Sequence, residues 1–529
     1  MKRYAFSLFF LAAHILGFSL LLSVDNLTQV VFSQEAPETL IKPTKTIRVP
    51  AAVTRTMEDI HRAEQANPSP AVGFKLPFRP TMDYREYRAA KEAAERELPS
   101  RQPEVSPPVV PFVPFAPPTL KGVNVDGIEQ SCDCSPPDTH GAAGRVFFVE
   151  VTNSEVYFFN KSDGSVASVS SLASLFGYYT KPLFDPRVVY DPMWQRFVIT
   201  AVAFPEDTFD VKVQRFFIAV TKGEIQSFFI YSFNVDFFNN GDFFDYPQLG
   251  IDQDAIIITA NIFSAATDEF IGADMFTAPK AFVYNGASFT PRLFTKLQGG
   301  TLAPPIVLDQ NPSTFLIAAP GAGSALKLYR LLSSSRFPPS LYAPFDVSVP
   351  AYTMPPAAAQ PGTTTAKLDT SDSRFVNAST QVGIALWQVH TINVGGRPTP
   401  RYYRINTTTK AIVEQGTFSK STTSHDFNAS IAANRLNRVF VTWTATDTGT
   451  NTQAQVRFSG KLVSETSIPA GSALFTSTVA YDPTADLVER WGDYSAVTID
   501  PVGSNLAWIV NEKISSKTAW GSRIGRIGF

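Results

Sequence analysis

Hydrophobic and polar positions alternate in short runs along most of the chain, and one of these runs recurs with the same punctuation. FFDYPQLGIDQDAIIITANIF, residues 243–263, is matched near the end of the chain by RWGDYSAVTIDPVGSNLAWIVNE, residues 490–512. In both, an Asp-Tyr pair precedes an alternating run, which is followed by an Asp, turn-forming residues and a second apolar run. Alternation with period two between turn residues is typical of strands. Each copy therefore predicts a strand, a tight turn and a second strand.

Further copies of this pattern fill most of the chain. Their anchor residues follow one another at irregular steps of roughly fifty to seventy residues: Asp138, Asp185, Asp245, Pro304, Arg374, Asp426 and Asp493. The second copy holds four runs rich in β-branched and aromatic residues, PRVVYD, RFVITAVAF, RFFIAVTK and FFIYSFNVD, which predict a four-stranded sheet. Such sheets cover both apolar faces by packing around an axis, so seven copies predict an all-β, seven-bladed β-propeller over residues 119–529. An elongated array of β-sandwiches is the alternative.

The pattern before residue 119 is different. MKRYAFSLFFLAAHILGFSLLLSV places two basic residues ahead of a long apolar stretch, which is the arrangement of an export signal over residues 1–33. An uncleaved membrane anchor is the alternative, because the apolar stretch is long enough to span a bilayer. Residues 81–100 carry helix formers with opposite charges at helical spacing, and a proline-rich run follows them. We interpret residues 34–118 as a helical and proline-rich stalk or pro-segment.

Composition excludes one class of partner. The chain has 529 residues, a formal charge of −2 and 44% hydrophobic residues, so it can bury a substantial core and shows no basic excess that would attract nucleic acid. Its two cysteines, Cys132 and Cys134, lie in CDCSPPDTH. The simpler interpretation of this spacing is a local disulfide or two free thiols, and a metal site shared with Asp138 and His140 is the alternative.

Five aspartates occupy the position just before the first strand of their copies, and in a propeller that position frames one mouth of the central channel. An Asp before a strand also caps a turn through its own backbone, which is the simpler interpretation of each residue taken singly. Five carboxylates in one region, however, repel each other unless a cation neutralises them. We therefore predict a ligand-binding site at this channel mouth, formed by Asp138, Asp185, Arg187, Asp245, Tyr246, Asp426, Trp491, Asp493 and Tyr494.

The three closest copies also suggest a metal ion at this mouth. Asp185, Asp245 and Asp493 offer the hard oxygen ligands that Ca²⁺ prefers, so Ca²⁺ is the cofactor that such a ring would hold. Arg187 follows Asp185 by two residues and returns to the same face of a strand. Neutralisation of the ring by Arg187, with a purely structural role, is the alternative.

Catalytic patterns are weak in this sequence. A glycosidase would use two of the axial carboxylates as acid and as base or nucleophile, but nothing singles out a pair. The S-x-D-x-G-x-x-W box of sialidases, the G-x-S-x-G elbow and H-E-x-x-H are all absent. The aromatic loop FNVDFFNNGDFF, residues 233–244, predicts either a surface that grips a sugar or an apolar partner, or core packing at a blade edge. The balance favours a binding protein over an enzyme.

The last copy supplies one strand too few for a four-stranded sheet. SAVTID, LAWIVNE and GSRIGRIGF provide three runs, after which the chain stops. We expect LKGVNVDGIE, residues 120–129, to pair as the missing outer strand, because this would join the two ends of the domain and hide an open sheet edge.

The quoted copies and the final forty residues resemble a family of secreted bacterial β-propeller proteins that usually carry no assigned activity. The resemblance covers roughly residues 121–529, and its most specific part is the ending, with Trp491, Gly492, Asp493, Tyr494, Ser495, Asn511, Glu512, Trp520, Arg523 and Gly525 in order. HDFNAS in the sixth copy and the two cysteines depart from the family pattern. The resemblance implies the fold and export. We expect an extracellular or cell-surface binding or scaffold module for glycan or protein, with a carbohydrate-active enzyme as the alternative and membrane contact only through an uncleaved N-terminal segment.

Overall fold

The computed structural model describes residues 38–67, 73–97, 117–208, 210–484 and 486–529. Strands dominate these residues, and the helices among them are Met57–Ala66, Tyr84–Arg96, Leu172–Phe176 and Lys280–Val283. The prediction of a mainly β structure is therefore confirmed. The expected export signal and most of the proline-rich run lie outside the described residues. None of the described helices has both the length and the apolar character needed to cross a bilayer.

From residue 140 onward successive groups of strands follow one another, which we number as sheet units 1 to 7. Within a unit neighbouring strands pair antiparallel, except that the short first strand of unit 4 pairs in parallel with the first strands of units 3 and 5, so that units 3 and 5 belong to one ten-stranded sheet. Their strands are His140–Ala143, Phe147–Val151, Glu155–Asn160 and Val166–Ser171 in unit 1; Leu183–Asp191, Arg196–Ala203, Arg215–Lys222 and Ser227–Asn234 in unit 2; Phe243–Ile251, Ala255–Phe263, Phe270–Pro279 and Arg292–Leu297 in unit 3; Pro305–Val307, Ser313–Ala318, Gly323–Leu332 and Ser340–Tyr352 in unit 4; Ser379–Val382, Ala385–Asn393, Pro398–Asn406 and Ala411–Thr417 in unit 5; His425–Ala433, Val439–Asp447, Thr452–Lys461 and Ser472–Thr476 in unit 6; and Ala496–Ile499, Leu506–Ser516 and Ala519–Gly528 in unit 7. Two further two-stranded sheets join Lys367–Leu368 to Val488–Glu489 and Phe74–Lys75 to Cys134–Ser135.

The first strands of the units meet around a common axis. The first strand of each unit contacts the first strand of the next, and that of unit 7 contacts that of unit 1. Between units 3, 4 and 5 the contact includes parallel pairing, as between Ile251 and Ile306. The first strands of units 2 and 6, Leu183–Asp191 and His425–Ala433, are buried at every residue. Burial on both faces is what a strand experiences when neighbouring sheets cover it from two sides.

The apolar core lies in layers between adjacent units. Phe216 of unit 2 packs edge-to-face on Phe244 of unit 3, with ring centroids 5.6 Å apart. Phe148 of unit 1 stacks on Trp508 of unit 7 at 5.4 Å. Aromatic pairs at these separations add to the stability that area burial alone provides. Phe residues thus contribute to the packing between adjacent sheets.

The missing outer strand of unit 7 comes from the N-terminal side of the sheets. Thr119–Glu129 pairs antiparallel with Ala519–Gly528, with Val125 opposite Ile524. The prediction that residues 120–129 complete the last sheet is confirmed. This pairing satisfies the backbone groups of an edge that would otherwise be open.

Residues before this strand run along the outer edges of the sheets. Leu40–Ile41 pairs with the outer strand of unit 4, Lys45–Thr46 with that of unit 3, and Val53–Thr56 with that of unit 2. The chain from Thr39 to Phe529 forms one compact body. The expectation that residues 34–118 stand apart as a stalk is therefore corrected for their described part, because short strands anchor that part to the sheets.

The helix expected within residues 81–100 is present as Tyr84–Arg96. Asp83 caps it by accepting hydrogen bonds from the backbone N–H groups of Arg85 and Glu86 at 2.8 and 3.1 Å. The opposite charges at helical spacing are typical of a solvated helix, but this helix contacts the sheets on one side. Lys91 Nζ donates to the carbonyl of Pro355 at 2.9 Å, and Glu95 on the same helix accepts a further backbone hydrogen bond.

One buried carboxyl group links the closing strand to unit 1. Glu150 is fully buried and accepts a hydrogen bond from the Ile128 N–H at 2.9 Å. Burial raises the pKa of Glu150 to about 8. The carboxyl is therefore mostly protonated in the folded protein at neutral pH, although it is ionised in the unfolded chain.

Glu150→Gln tests this link. Between the ordinary pKa of a glutamate and about 8, folding takes up a proton, so the stability of the parent falls as the pH rises, by up to about 1.4 kcal/mol per pH unit. Gln keeps a carbonyl acceptor for Ile128 and does not titrate. The free energy of unfolding of both proteins is measured with urea. We expect the difference, variant minus parent, to increase by a few kcal/mol from about pH 5 to about pH 8. Glu92→Gln, on the exposed face of a helix, is the control, and a parent-to-variant difference independent of pH would refute the assignment.

Candidate functional site

The first strands of units 2, 3 and 6 share a distortion that shapes the channel mouth. Asp185, Tyr246 and Asn428 have φ angles of 50°, 53° and 48° at a break in the pairing with the second strand. A left-handed residue in a bulge redirects the side chains around it. These three residues are therefore structurally equivalent. The sequence analysis aligned Asp185 with Asp245 and Asp426. The structurally equivalent residues are instead Tyr246, one position after Asp245, and Asn428, two positions after Asp426.

Two carboxylates at the mouth cap the backbone of a neighbouring unit and not their own turn. Asp138 accepts a hydrogen bond from the Asp493 N–H, and Asp185 accepts one from the Tyr246 N–H, each at 2.9 Å. The Asn153 amide joins the two aspartates, because its Nδ2 donates to Asp138 and its Oδ1 accepts from the Asp185 N–H, each at 2.7 Å. This chain of hydrogen bonds runs from unit 7 through units 1 and 2 to unit 3.

Two arginines neutralise the remaining carboxylates of the mouth. Arg490 holds Asp493 with both terminal nitrogens, Nη1 lying 3.0 Å from Oδ1. Arg79 lies 3.4 Å from Asp245 through Nη1 and 3.1 Å from Asp268 through Nε. Charge-assisted pairs of this kind are the stronger hydrogen bonds of proteins. The sequence analysis missed both arginines, since nothing in the sequence shows that residue 79 reaches the axis.

Residues 76–79 close this mouth. The Phe78 ring lies 4.6 Å from the guanidinium carbon of Arg374, and Arg374 Nη2 donates to the carbonyl of Arg79 at 2.7 Å. The cavity that remains between this segment and the aspartates measures about 10 Å³. That is room for about one water molecule. The ligand-binding site expected at this mouth is thus filled by the protein's own side chains.

Arg187 lies on the axis but does not pair with the aspartates. It donates to the carbonyls of Pro247 and Val376 at 3.0 and 3.1 Å and to the Asn377 side chain at 3.1 Å. Its guanidinium carbon sits 3.3 Å from the centre of the Tyr494 ring, and Tyr494 packs edge-to-face on Tyr246. Among the described residues Arg187 therefore forms no ion pair with these aspartates and acts as a buried donor between units, while its positive charge opposes the rise in the pKa of Asp185.

Two residues expected at the mouth lie elsewhere. Asp426 accepts hydrogen bonds from the Trp443 indole and from the Lys420 N–H, each at 2.9 Å, and so belongs to a local turn of unit 6. Trp491 is buried edge-to-face against Tyr481, with centroids 5.8 Å apart. Asp426 is displaced because the bulge in its strand falls two residues later, and Trp491 because its ring fills an apolar cluster.

Burial of the aspartates changes their titration. Burial raises the pKa of Asp138 to about 6, and repulsion from Asp493 contributes to the rise. Burial also raises the pKa of Asp185 well above its ordinary value, with repulsion from Asp245 as the next cause. The pKa of Asp245 is raised by burial against the opposing attraction of the Arg79 guanidinium. These carboxyl groups are held in a medium that disfavours their charged form.

The expected metal sites are not formed. No group of three or more His, Cys, Asp or Glu side chains within the described ranges is arranged to hold a metal ion. The Ca²⁺ ring of Asp185, Asp245 and Asp493 fails because backbone donors and arginines already occupy these carboxylates. Cys132 and Cys134 form a disulfide, which agrees with the simpler interpretation of their spacing and removes the thiolates from the alternative metal site.

The aromatic loop borders an open cavity of about 370 Å³ at the outer part of unit 3. Phe238 is 49% exposed, and Phe237 lines the same cavity and packs edge-to-face on buried Phe276 at 6.1 Å. The loop thus contributes both to the surface and to the core, the two alternatives considered for it. The cavity falls in the range of about 300–1,000 Å³ that is usual for small-molecule sites.

A buried carboxyl group also lines this cavity. Asp274 is 6% exposed and accepts a hydrogen bond from the Lys296 N–H at 3.3 Å. Burial raises the pKa of Asp274 to about 7, and repulsion from Asp242 contributes. Lys296 has a φ of 55° at a break in the pairing of the third and fourth strands. The sequence analysis missed Asp274, whose signal is a single acidic residue inside the apolar run FIGADMFTAP.

Comparisons with known proteins found similarity only to solved structures. No protein-family model and no curated protein matches it. An apocarotenoid oxygenase variant from Synechocystis is 7% identical, with a TM-score of 0.37 over 64% of this chain and 74% of that one. An exo-beta-1,3-galactanase from Phanerochaete chrysosporium is 10% identical, with a TM-score of 0.32 over 58% and 75%. A protein of unknown function from Dyadobacter fermentans is 9% identical, with a TM-score of 0.34 over 66% and 95%. Similarity at this level carries no argument about activity.

Arg490→Met tests the electrostatics of the mouth. Removing this cation leaves Asp493 and Asp138 buried with less compensation, which typically costs about 3–5 kcal/mol. The loss of unfolding free energy should be larger at about pH 8 than at about pH 5, because protonation of Asp138, whose pKa is about 6, relieves the repulsion at the lower pH. Adding Asp493→Asn to the variant should restore part of the loss.

Urea unfolding of the single and double variants at both pH values measures these differences. Arg96→Met, which removes an exposed helical ion pair, is the control. Equal losses at the two pH values would show that Arg490 acts by packing alone.

Proposed function

We propose that the protein is a seven-bladed β-propeller that binds a glycan outside the cell. The seven sheet units support the blade count, since their first strands contact one another in order and the contact of unit 7 with unit 1 completes a cycle. The export signal over residues 1–33 supports secretion or a cell-surface location, with membrane contact only if that segment is retained. A protein partner is the alternative ligand, and nucleic acid is not expected at a formal charge of −2.

The observation that carries the glycan proposal is the cavity beside the aromatic loop. An exposed phenyl ring, that of Phe238, and the carboxyl groups of Asp274 and Asp242 line one space. The apolar face of a sugar ring packs on an aromatic ring, and its hydroxyl groups need hydrogen-bonding partners around the edge. A pKa of about 7 lets Asp274 both donate and accept hydrogen bonds near neutral pH.

The glycosidase alternative has less support. Its acid and nucleophile would come from the axial aspartates, which need a free carboxyl group facing the substrate. Arg490 holds Asp493, Arg79 lies against Asp245, and the cavity beside them measures about 10 Å³. We therefore propose binding without turnover.

A glycan panel tests the proposal. The purified chain is applied to immobilised oligosaccharides, and each glycan that binds is assayed for release of reducing ends. We expect binding without release, and a loss of affinity of about tenfold or more in Phe238→Ser and in Asp274→Asn, since each removes a main contact.

Phe282→Ser is the matched control, because Phe282 is an exposed phenylalanine outside this cavity. It should leave glycan binding unchanged. A panel without any binder, or binding that ignores both cavity variants, refutes the site, and release of reducing ends favours the enzyme.

A further inference from the structure

The side chain of Arg79 lies in a pocket of aromatic rings and carboxylates, which we call the arginine pocket. Its guanidinium carbon is 4.4 Å from the centre of the Phe243 ring and 6.0 Å from that of the Phe263 ring. Asp245 and Asp268 form ion pairs with the same guanidinium group, whose side chain is 16% exposed. Aromatic faces together with carboxylates are the surroundings in which proteins bind guanidinium groups.

The four residues that form the arginine pocket all belong to unit 3. Phe243 lies opposite Phe263 in the ladder of the first and second strands, and Asp268 lies in the turn before the third. The Phe243 ring stacks on Phe184 of unit 2, and the Phe263 ring packs edge-to-face on Phe270, both with centroids 5.9 Å apart. The rings are thus fixed by the sheets, and the pocket does not take its shape from the segment that fills it.

The carboxylates of the pocket depend on Arg79 for their charge compensation. Within the described ranges Arg79 is the only cation in an ion pair with Asp245 or Asp268. Burial raises the pKa of Asp245, and the charge of Arg79 is the main influence that opposes this rise. Nearby Arg374 is itself paired with Asp372 at 2.8 Å. Without Arg79 the pocket would hold two uncompensated carboxylates, which attract another cation.

The backbone around Arg79 is held by two other arginines. Arg374 Nη2 donates to the carbonyl of Arg79 at 2.7 Å, and Arg490 Nε donates to the carbonyl of Leu76 at 3.3 Å. The Phe78 ring lies 4.6 Å from the guanidinium carbon of Arg374. This segment is in neither a helix nor a strand. Its contacts, made through two side chains and the backbone carbonyls, are those of a bound peptide.

The strand pairing that anchors the segment is short. Phe74–Lys75 pairs with Cys134–Ser135 over two residues. The Leu76 N–H adds one hydrogen bond to the carbonyl of Ser135 at 2.9 Å. A ligand that carries the same two side chains therefore has few backbone hydrogen bonds to replace.

We infer that the arginine pocket recognises an arginine of a partner protein, and that residues 76–79 occupy it as an intramolecular ligand that this partner displaces. The partner segment carries an aromatic residue directly before its arginine, because Phe78 and Arg79 define these two contacts. The tethered segment competes at an effective concentration on the order of millimolar, and so sets an affinity that a partner must exceed. The arginine pocket is separate from the glycan cavity, so either proposal can fail without the other.

A synthetic peptide tests the inference. The sequence LPFRPT, residues 76–81, is labelled with fluorescein at its N-terminus and titrated against the full chain, with fluorescence anisotropy as the readout. In the chain, Phe78→Ser with Arg79→Ser removes the intramolecular ligand and leaves the pocket residues in place. We expect this double variant to bind the peptide about tenfold or more tightly than the parent does, because its own segment no longer competes. The parent should bind the peptide in the millimolar range.

A peptide with citrulline in place of arginine tests the chemistry of recognition. Citrulline keeps the shape of arginine but carries no charge, so binding to the double variant should weaken by about tenfold or more. Adding Asp268→Asn to the double variant should weaken binding of the arginine peptide to a similar extent. Asp346→Asn is the matched control, because Asp346 also forms an ion pair and its side chain is 61% exposed, against 59% for Asp268. It should leave the affinity unchanged.

Urea unfolding checks that each variant is folded. If the double variant is not folded, Arg79→Ser alone, which keeps the aromatic contact, takes its place in every comparison. The inference is overturned if the variant binds the peptide no better than the parent, if the citrulline peptide binds equally well, or if Asp268→Asn has no effect. A parent that binds no peptide at millimolar concentration would also overturn it, because residues 76–79 would then be a permanent part of the fold.

Discussion

Hydrogen bonds from the backbone of one sheet unit to a carboxylate of the next hold the centre of this protein together. Where the first strands converge, a left-handed residue interrupts the ladder and leaves N–H groups that must find acceptors in a buried region. Asp138 and Asp185 supply those acceptors across unit boundaries. Burying them raises their pKa values, and this rise is opposed by the positive charge of Arg490 at Asp138 and of Arg187 at Asp185. Much of the chemistry that makes this mouth resemble a binding site follows from that structural need.

Backbone groups must also find hydrogen-bonding partners at the outer edges of the sheets. A ring of sheets leaves each outer strand with unpaired backbone groups, which are sites for association with other chains. Short strands of residues 40–56 cover three of these edges, and Thr119–Glu129 completes a fourth sheet. The segment before the sheets is thus a structural part of the body, and through Arg79 it also completes the charge balance on the axis.

The sequence predicted the strands well, but it predicted the contacts between residues of different sheet units much less well. Period-two alternation identified the strands of units 2 and 3, and the strand count of the last copy required an outer strand from residues 120–129. The shared Asp-Tyr phrase pointed correctly to the mouth for Asp245, Tyr246, Asp493 and Tyr494. The looser alignment of the sixth copy misplaced Asp426, because a two-residue difference in bulge position leaves no mark on hydrophobic alternation. Arg79 and Asp274 were missed since their roles depend on contacts with residues distant in sequence, which no local pattern encodes.

The pairing of Thr119–Glu129 with Ala519–Gly528 also sets an order on the formation of the molecule. The outer strand of unit 7 is among the first parts of the sheet region to be synthesised, and its partner is among the last. Until residues 519–528 have emerged from the ribosome, the early strand has no ladder to join and the two flanks of the ring stay open. A contact between residues some four hundred positions apart in sequence carries a large loop-closure entropy, so it is expected to form late and slowly. During that interval the unpaired edges of the nascent sheets are open to pairing with other chains.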